Sequence, residues 1–145
     1  MARKLSANMF WTCIDDMDND RMIGKLYSIV EEDDIVFHDF NQMILKADAL
    51  MDTIAFPQAF QNKRSFMEEG HPCYSVQIHA NEKRSHDEII KHHGSLFTGV
   101  IMVHTRQYSN WQGYVMDEHF ELLYEFHDVI ELMKQLLNII QKKES

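Results

Sequence analysis

Residues 24–39 read GKLYSIVEEDDIVFHD, and residues 113–128 read GYVMDEHFELLYEFHD. Each stretch begins with glycine and reaches Phe-His-Asp after the same number of residues, at a constant offset of 89. The apolar residues before the tripeptide favour strands, and the apolar residues at three-to-four spacing after it favour a helix. The chain is therefore predicted to contain a pseudo-duplicated strand-strand-helix unit, at about residues 22–54 and 111–143.

The aspartates of the two Phe-His-Asp tripeptides are predicted to begin the helices. Asp39 is followed three residues later by Gln42, and Asp128 by Glu131, which is the spacing of a capping box. Beyond these caps, each helix has an apolar face. The stripe on the second helix is wider, which indicates burial on two sides, either inside the domain or against a second subunit. Both alternatives stay open at this point.

The remaining segments are assigned from the spacing of their apolar residues. Ser6–Met17 has apolar residues three to four positions apart and a serine suited to an N-cap, so we expect a short helix there. Cys73–His79 and Leu96–Thr105 are predicted strands, and Ser85 opens a capping box for another short helix. The prediction is one α+β domain over residues 1–145, with a mostly antiparallel sheet and two main amphipathic helices on one face.

Composition and charge argue against several classes of function. The chain has 23 acidic and 14 basic residues, a net charge of −9, whereas a nucleic-acid-binding protein needs a basic face. We therefore expect no direct nucleic-acid binding and no membrane partner. The two cysteines, Cys13 and Cys73, have neither metal-ligand spacing nor the pattern of a disulfide framework, as is usual in a reducing compartment. An acidic, soluble, cytoplasmic protein is predicted.

Catalytic motifs are missing from the sequence. It has no G-x-S-x-G elbow, no phosphate-binding P-loop and no G-x-G-x-x-G turn. The nine histidines show neither HExxH nor a partnership with paired cysteines, and metal sites usually carry such spacing. We expect a protein that is not an enzyme and that holds no cofactor and no metal.

The most unusual patch is RQYSNWQG, residues 106–113. Arginine and tryptophan dominate binding hot spots, and a guanidinium can bind a carboxylate or phosphate through two parallel hydrogen bonds. The candidate residues for binding a ligand or partner are Arg64, Arg106, Gln107, Trp111 and Gln112. The alternative is structural: Trp111 closes the core, while Arg106 and the glutamines tie the turn together.

The same patch, followed by a strand, Phe126 and an amphipathic helix, resembles a group of small uncharacterised proteins of Firmicutes bacteria. These carry an R-Q-x-x-S-W-Q-G strand and then an F-R-S-x-x-E-L helix start. Asn110 stands where that pattern has serine, and His127-Asp128 replaces Arg-Ser, while Glu131-Leu132 matches. The resemblance covers about the last 40 residues. The group has no assigned activity, so the resemblance implies lineage and a cytoplasmic location only.

Three functions are compatible with these features. The first is a non-enzymatic protein-interaction or regulatory module that forms a homo-oligomer through its last helix, as the wide apolar stripe and ten methionines suggest. The second is a small-molecule or nucleotide sensor that binds an anionic ligand near Arg106 and Trp111. The third is an acidic decoy that inhibits a nucleic-acid enzyme, as the net negative charge would permit.

Overall fold

The computed structural model describes residues 4–19, 21–54, 82–107 and 110–144. Within these ranges six strands form a single antiparallel sheet in the order β3-β2-β1-β4-β5-β6. The strands are β1 Met9–Asp18, β2 Arg21–Ser28, β3 Glu31–Phe37, β4 Phe97–Gln107, β5 Asn110–Asp117 and β6 Leu122–Phe126. The helices are α1 Phe40–Ile54, the short α2 His86–Ile89 and α3 Val129–Glu144. The predicted single-domain α+β fold is confirmed.

The two long helices cover one face of the sheet. Their buried residues join one core cluster with sheet residues such as Phe10 and Ile14. From α1 and α3 the cluster takes Met43, Ala47, Met51, Leu132, Leu136 and Ile140. Trp11 and Cys13 alternate with these β1 positions and belong to a second cluster, which also contains Ile89 of α2. The centre of the sheet is therefore buried on both faces.

The predicted helix at Ser6–Met17 is wrong, because most of this segment forms β1. Five consecutive residues from Phe10 to Ile14 are buried. A strand buried on both faces loses the apolar–polar alternation that identifies a half-exposed strand. The apolar residues of this segment also lie three to four positions apart, a spacing that is typical of a helix. Ser6 does not cap a helix: its hydroxyl donates to Asn8 Oδ1, at 2.8 Å.

Both long helices begin as the capping-box spacing predicted. Asp39 Oδ1 accepts from the Gln42 amide at 2.8 Å, and the His38 amide donates back to Gln42 Oε1 at 2.9 Å. Asp128 Oδ1 accepts from the Glu131 amide at 2.7 Å, and Glu131 Oε1 accepts from the preceding His127 amide at 2.6 Å. Each box pairs one amide of the first helical turn, which has no partner within the helix, and the amide of the residue before the aspartate.

The two halves of the sheet follow the same order on either side of its centre. Gly24 is paired with Phe37 in β2–β3, and Gly113 with Phe126 in β5–β6. Each half also has a first strand, β1 or β4, and these two strands pair with each other. The expectation that only the second copy is preceded by a strand was wrong, for the reason given for β1. That the halves arose by duplication stays a prediction.

Three further points concern a predicted strand, the start of β6 and membrane-spanning helices. The strand expected at Cys73–His79 lies outside the described residues. Phe120 has a φ of 66° and lies in the turn before β6, which begins at Leu122. In the described part of the chain, no helix combines the length and apolar character needed to cross a membrane.

Candidate functional site

Arg106 and Trp111 lie opposite each other where β4 and β5 meet in a hairpin. Opposed residues of antiparallel strands point to the same side of the sheet, and here both side chains are buried. The Arg106 Nη1 group donates to Asp48 Oδ1 at 3.0 Å and to Asp52 Oδ1 at 2.8 Å. The Trp111 indole Nε1 donates to the same Asp48 oxygen at 3.1 Å. One arginine, one tryptophan and two carboxylates thus form a connected cluster.

The carboxylates of this cluster come from the last two turns of α1. Asp48 and Asp52 are four residues apart, so they lie on the same side of the helix and repel each other. Acidic side chains are also unfavourable near a helix C-terminus, where backbone carbonyls concentrate negative charge, and the last turn of α1 contains no basic residue. Arg106 supplies the missing positive charge from β4 and holds the end of α1 against the hairpin.

Of the other predicted binding residues, Gln112 does not join this cluster. Gln112 is exposed, and its Oε1 accepts from the Thr105 hydroxyl at 3.3 Å. Gln107 pairs with Asn110 in the β4–β5 register, and Arg64 lies outside the described residues. Of the five candidates, Arg106 and Trp111 are brought together, while Gln112 follows Trp111 in β5 and therefore points to the opposite face.

This arrangement fits the structural alternative stated for the hairpin. The Arg106 side chain is 3% exposed and two carboxylates already compensate its charge. An anion at the guanidinium would lie close to two carboxylates, and their negative charge would oppose its binding. That Arg106 binds an anionic ligand stays a prediction, and its present geometry is that of an internal ion pair.

A second polar network was not anticipated from the sequence. The Arg84 guanidinium donates from Nε and Nη2 to the two carboxylate oxygens of Glu88, and from Nη1 to Asp34 Oδ1 at 3.0 Å. His92 Nε2 lies 2.9 Å from Glu88 Oε2. The fork-like contact between Arg84 and Glu88 is the geometry in which a guanidinium binds a carboxylate most strongly.

Tyr27 forms the aromatic base of this network. The His92 ring stacks on the Tyr27 ring with centroids 4.4 Å apart, and the Arg84 guanidinium carbon lies 5.0 Å from the Tyr27 centroid. Hydrogen bonds from Arg84 lower the pKa of Glu88 from 4.5 to about 2. Burial raises the pKa of Tyr27 to about 12 and that of Cys13 to about 12. At neutral pH this region therefore holds an ionised Glu88, a neutral phenol and an inert thiol.

One sequence signal for this network was present. Arg84, Glu88 and His92 are spaced four residues apart, and residues at that spacing face each other on a helix. The regular part of α2 ends at Ile89, so only the turn that follows carries His92 into position. Asp34 and Tyr27 lie fifty or more residues before Arg84 in sequence, so no local pattern predicts these contacts.

Within the described ranges, no three His, Cys, Asp or Glu side chains lie in a group that could hold a metal ion. The absence of a metal site and of a cofactor stays a prediction. His86, one of the nine histidines, accepts the Leu5 amide on Nδ1 at 3.1 Å, so its role in this structure is to position the N-terminal segment.

No family model, no curated protein and no solved structure matches the chain.

Proposed function

We propose that the protein is a non-enzymatic interaction or regulatory module that acts by self-association. The observation that supports this proposal is a difference between the two halves. Three large apolar side chains are exposed in the second half, Leu122 (61%), Leu123 (40%) and Ile130 (58%). At the offset of 89 residues, the first half has Asp33, Asp34 and Asn41. The two hairpins share three residue pairs next to their glycines, but only the second half has exposed apolar side chains at these three positions.

Isolated exposed hydrophobic residues are common on protein surfaces and need no function. Val36 on β3 and Leu45 on α1 are of that kind, since neither has an exposed large apolar neighbour in sequence. Leu122 and Leu123 differ because two consecutive large apolar residues of β6 are exposed, one on each face of the strand, and β6 is an end strand of the sheet in the described part of the chain. A partner surface at β6 would remove this apolar area from water.

The broad stripe on α3 gives less support to self-association than its sequence suggested. Its central residues are buried in the domain core, and Met133, Leu137 and Ile139 are partly buried against the same cluster. Ile130, in the first turn, is the one large apolar residue of α3 that is strongly exposed in the described chain. We therefore place the proposed contact surface at β6 and the first turn of α3, and not along the length of that helix.

We also propose a cytoplasmic location. Cys13 is a free, buried thiol, as is common in proteins of a reducing compartment. The two arginine clusters are compensated by carboxylates of the same chain, so neither offers an uncompensated positive site to a substrate phosphate. This supports an interaction module over an enzyme of acyl or phosphoryl transfer. The acidic-decoy hypothesis gains no comparable support, because Asp34 of the acidic β3 run is itself paired with Arg84.

Sedimentation equilibrium of the purified chain tests the proposal. The weight-average mass is expected to rise with concentration from that of one chain towards that of two. The double variant Leu122→Ser with Leu123→Ser is expected to lower the mass at each concentration, because it removes apolar surface without adding charge. A mass of one chain at every concentration would show that the protein does not self-associate.

A further inference from the structure

We infer that His86 is a pH-sensitive switch, which fixes the start of segment 4–8 to α2 while its imidazole is neutral and releases it when the imidazole is protonated. The inference goes beyond the proposed function and does not depend on self-association. It rests on one contact: His86 Nδ1, at the start of α2, accepts the Leu5 amide at 3.1 Å, from a position 81 residues away in sequence.

Segment 4–8 is anchored at its far end and packed against the second core cluster. The Asn8 carbonyl accepts the Val103 amide at 2.9 Å, and Asn8 Nδ2 donates to the Val103 carbonyl at 2.8 Å. Leu5 and Ala7 are buried in the cluster that also contains Trp11. The segment can therefore open from Leu5 while Asn8 stays fixed to β4, and such opening uncovers one side of the second cluster.

The contact between His86 and Leu5 requires a neutral imidazole. A ring nitrogen that accepts an N–H carries no hydrogen, so the hydrogen of the neutral His86 ring is on Nε2. Protonation adds a hydrogen to Nδ1, which then faces the Leu5 N–H, and two donors cannot form a hydrogen bond. Turning the ring over does not restore the contact, because both nitrogens of an imidazolium carry hydrogens. Imidazole is the side chain whose charge changes between about pH 5 and 8.

A cavity beside His86 contains the charged groups that a protonated ring would meet. Its volume is about 390 Å³, and the charged residues that line it with His86 are Lys4, Glu82 and Asp87. The two carboxylates attract an imidazolium and the Lys4 ammonium repels one. Because Lys4 precedes Leu5, opening of the segment also moves Lys4 away. The open form therefore suits the charged ring, and the closed form suits the neutral ring.

The turn before β6 contacts the other part of the His86 environment through an apolar side chain. The Phe120 and His86 ring centroids are 6.0 Å apart, and Phe120 also lies 6.2 Å from the Trp11 ring. The charged neighbours of Phe120 in this turn, His119 and Glu121, are exposed. Glu88, two residues after His86 on α2, is bound by Arg84. The cavity carboxylates are therefore the nearest unlike charges offered to the protonated ring.

Amide hydrogen exchange measured by NMR tests the switch, with each rate divided by that of an unfolded chain at the same pH. We expect the protection of the Leu5 amide to fall about tenfold or more from about pH 7.5 to about pH 5. The Val103 amide is the internal control and should keep its protection, because Asn8 stays in place. His86→Asn is the matched variant, since its amide oxygen can accept the Leu5 N–H and does not titrate. In this variant Leu5 should stay protected at both pH values, and circular dichroism confirms that the variant is folded.

The ¹⁵N chemical shifts of the His86 ring provide a second measurement that needs no variant. The expected result is the Nε2–H tautomer at neutral pH and a titration whose midpoint coincides with the loss of Leu5 protection. Leu5 protection that persists while the ring titrates overturns the inference, and so does a ring that stays neutral down to about pH 5. An equal loss of protection in the folded His86→Asn variant, or a parallel loss at Val103, also overturns it. If the variant does not fold, coincidence of the two midpoints in the unchanged chain decides.

Discussion

Removing Asp48 should destabilise the protein more than removing Asp52, although Arg106 lies closer to Asp52. The Arg106 distances are 3.0 Å to Asp48 and 2.8 Å to Asp52, but the side-chain exposures are 30% and 63%. Asp48→Ala takes one carboxylate from a buried guanidinium and leaves the buried Trp111 indole N–H without the partner seen here. We expect a loss of about 2–3 kcal/mol. Asp52→Ala breaks a solvent-exposed contact and should cost about 0.5 kcal/mol.

Urea unfolding followed by circular dichroism measures these free energies of unfolding. Asp48→Asn is the control that keeps an acceptor for Trp111 while removing the charge, and it should fall between the two alanine variants. Asp48→Leu combined with Arg106→Met should lose less than the sum of the single changes, because the buried charge leaves together with its partner. Equal losses for the two aspartates, or a larger loss for Asp52→Ala, would refute burial as the quantity that decides their ranking.

Three further predictions concern groups outside this cluster. Because the folded pKa of Glu88 is lowered from 4.5 to about 2, its ionised form stabilises the fold above about pH 4.5, and this contribution fades as the pH falls towards 2; in urea titrations the difference between Glu88→Gln and the unchanged chain should shrink over that window. Cys13, with its pKa raised to about 12, should resist alkylation at neutral pH in a Cys73→Ser variant until the protein unfolds, as followed by mass spectrometry. Gly113→Ala should cost about 3 kcal/mol or more in thermal or urea unfolding, since its Cβ would lie 1.9 Å from the Met102 carbonyl oxygen.

A specific result would contradict each of these three predictions. A constant difference between Glu88→Gln and the unchanged chain from neutral to acidic pH would mean that Glu88 is not held ionised by Arg84. Rapid labelling of Cys13 in the folded protein would contradict its burial and raised pKa. A Gly113→Ala variant as stable as the unchanged chain would mean that β4 and β5 can separate at this point at little cost.

Local chemistry made the helix starts and most strands predictable. Asp39 and Asp128 begin their helices because a side-chain oxygen three residues before an amide satisfies that amide wherever the segment lies in the fold. The strand at Met9–Asp18 could not be recognised in the same way. Whether a continuous apolar run is a strand or a helix depends on what covers its two faces, and for β1 both coverings come from distant parts of the chain.

Two of the four residues in the cluster at the hairpin could be predicted from the sequence. Arg106 and Trp111 were singled out together because their residue types are unusual near a tight turn, and the register places them opposite each other. Their partners Asp48 and Asp52 lie 58 and 54 residues away from Arg106 in sequence. No local pattern connects these positions, and the charge of Arg106 therefore looked available to a ligand. The exposed Leu122 and Leu123 were missed because a strand sequence does not reveal whether its neighbour is another strand or solvent.

The weight-average mass of the unchanged chain in sedimentation equilibrium, measured over a wide range of concentrations, tests self-association most directly. The account predicts a mass that approaches that of two chains as the concentration rises, fitted by a single monomer–dimer equilibrium. A mass that stays at that of one chain over the whole range would contradict it.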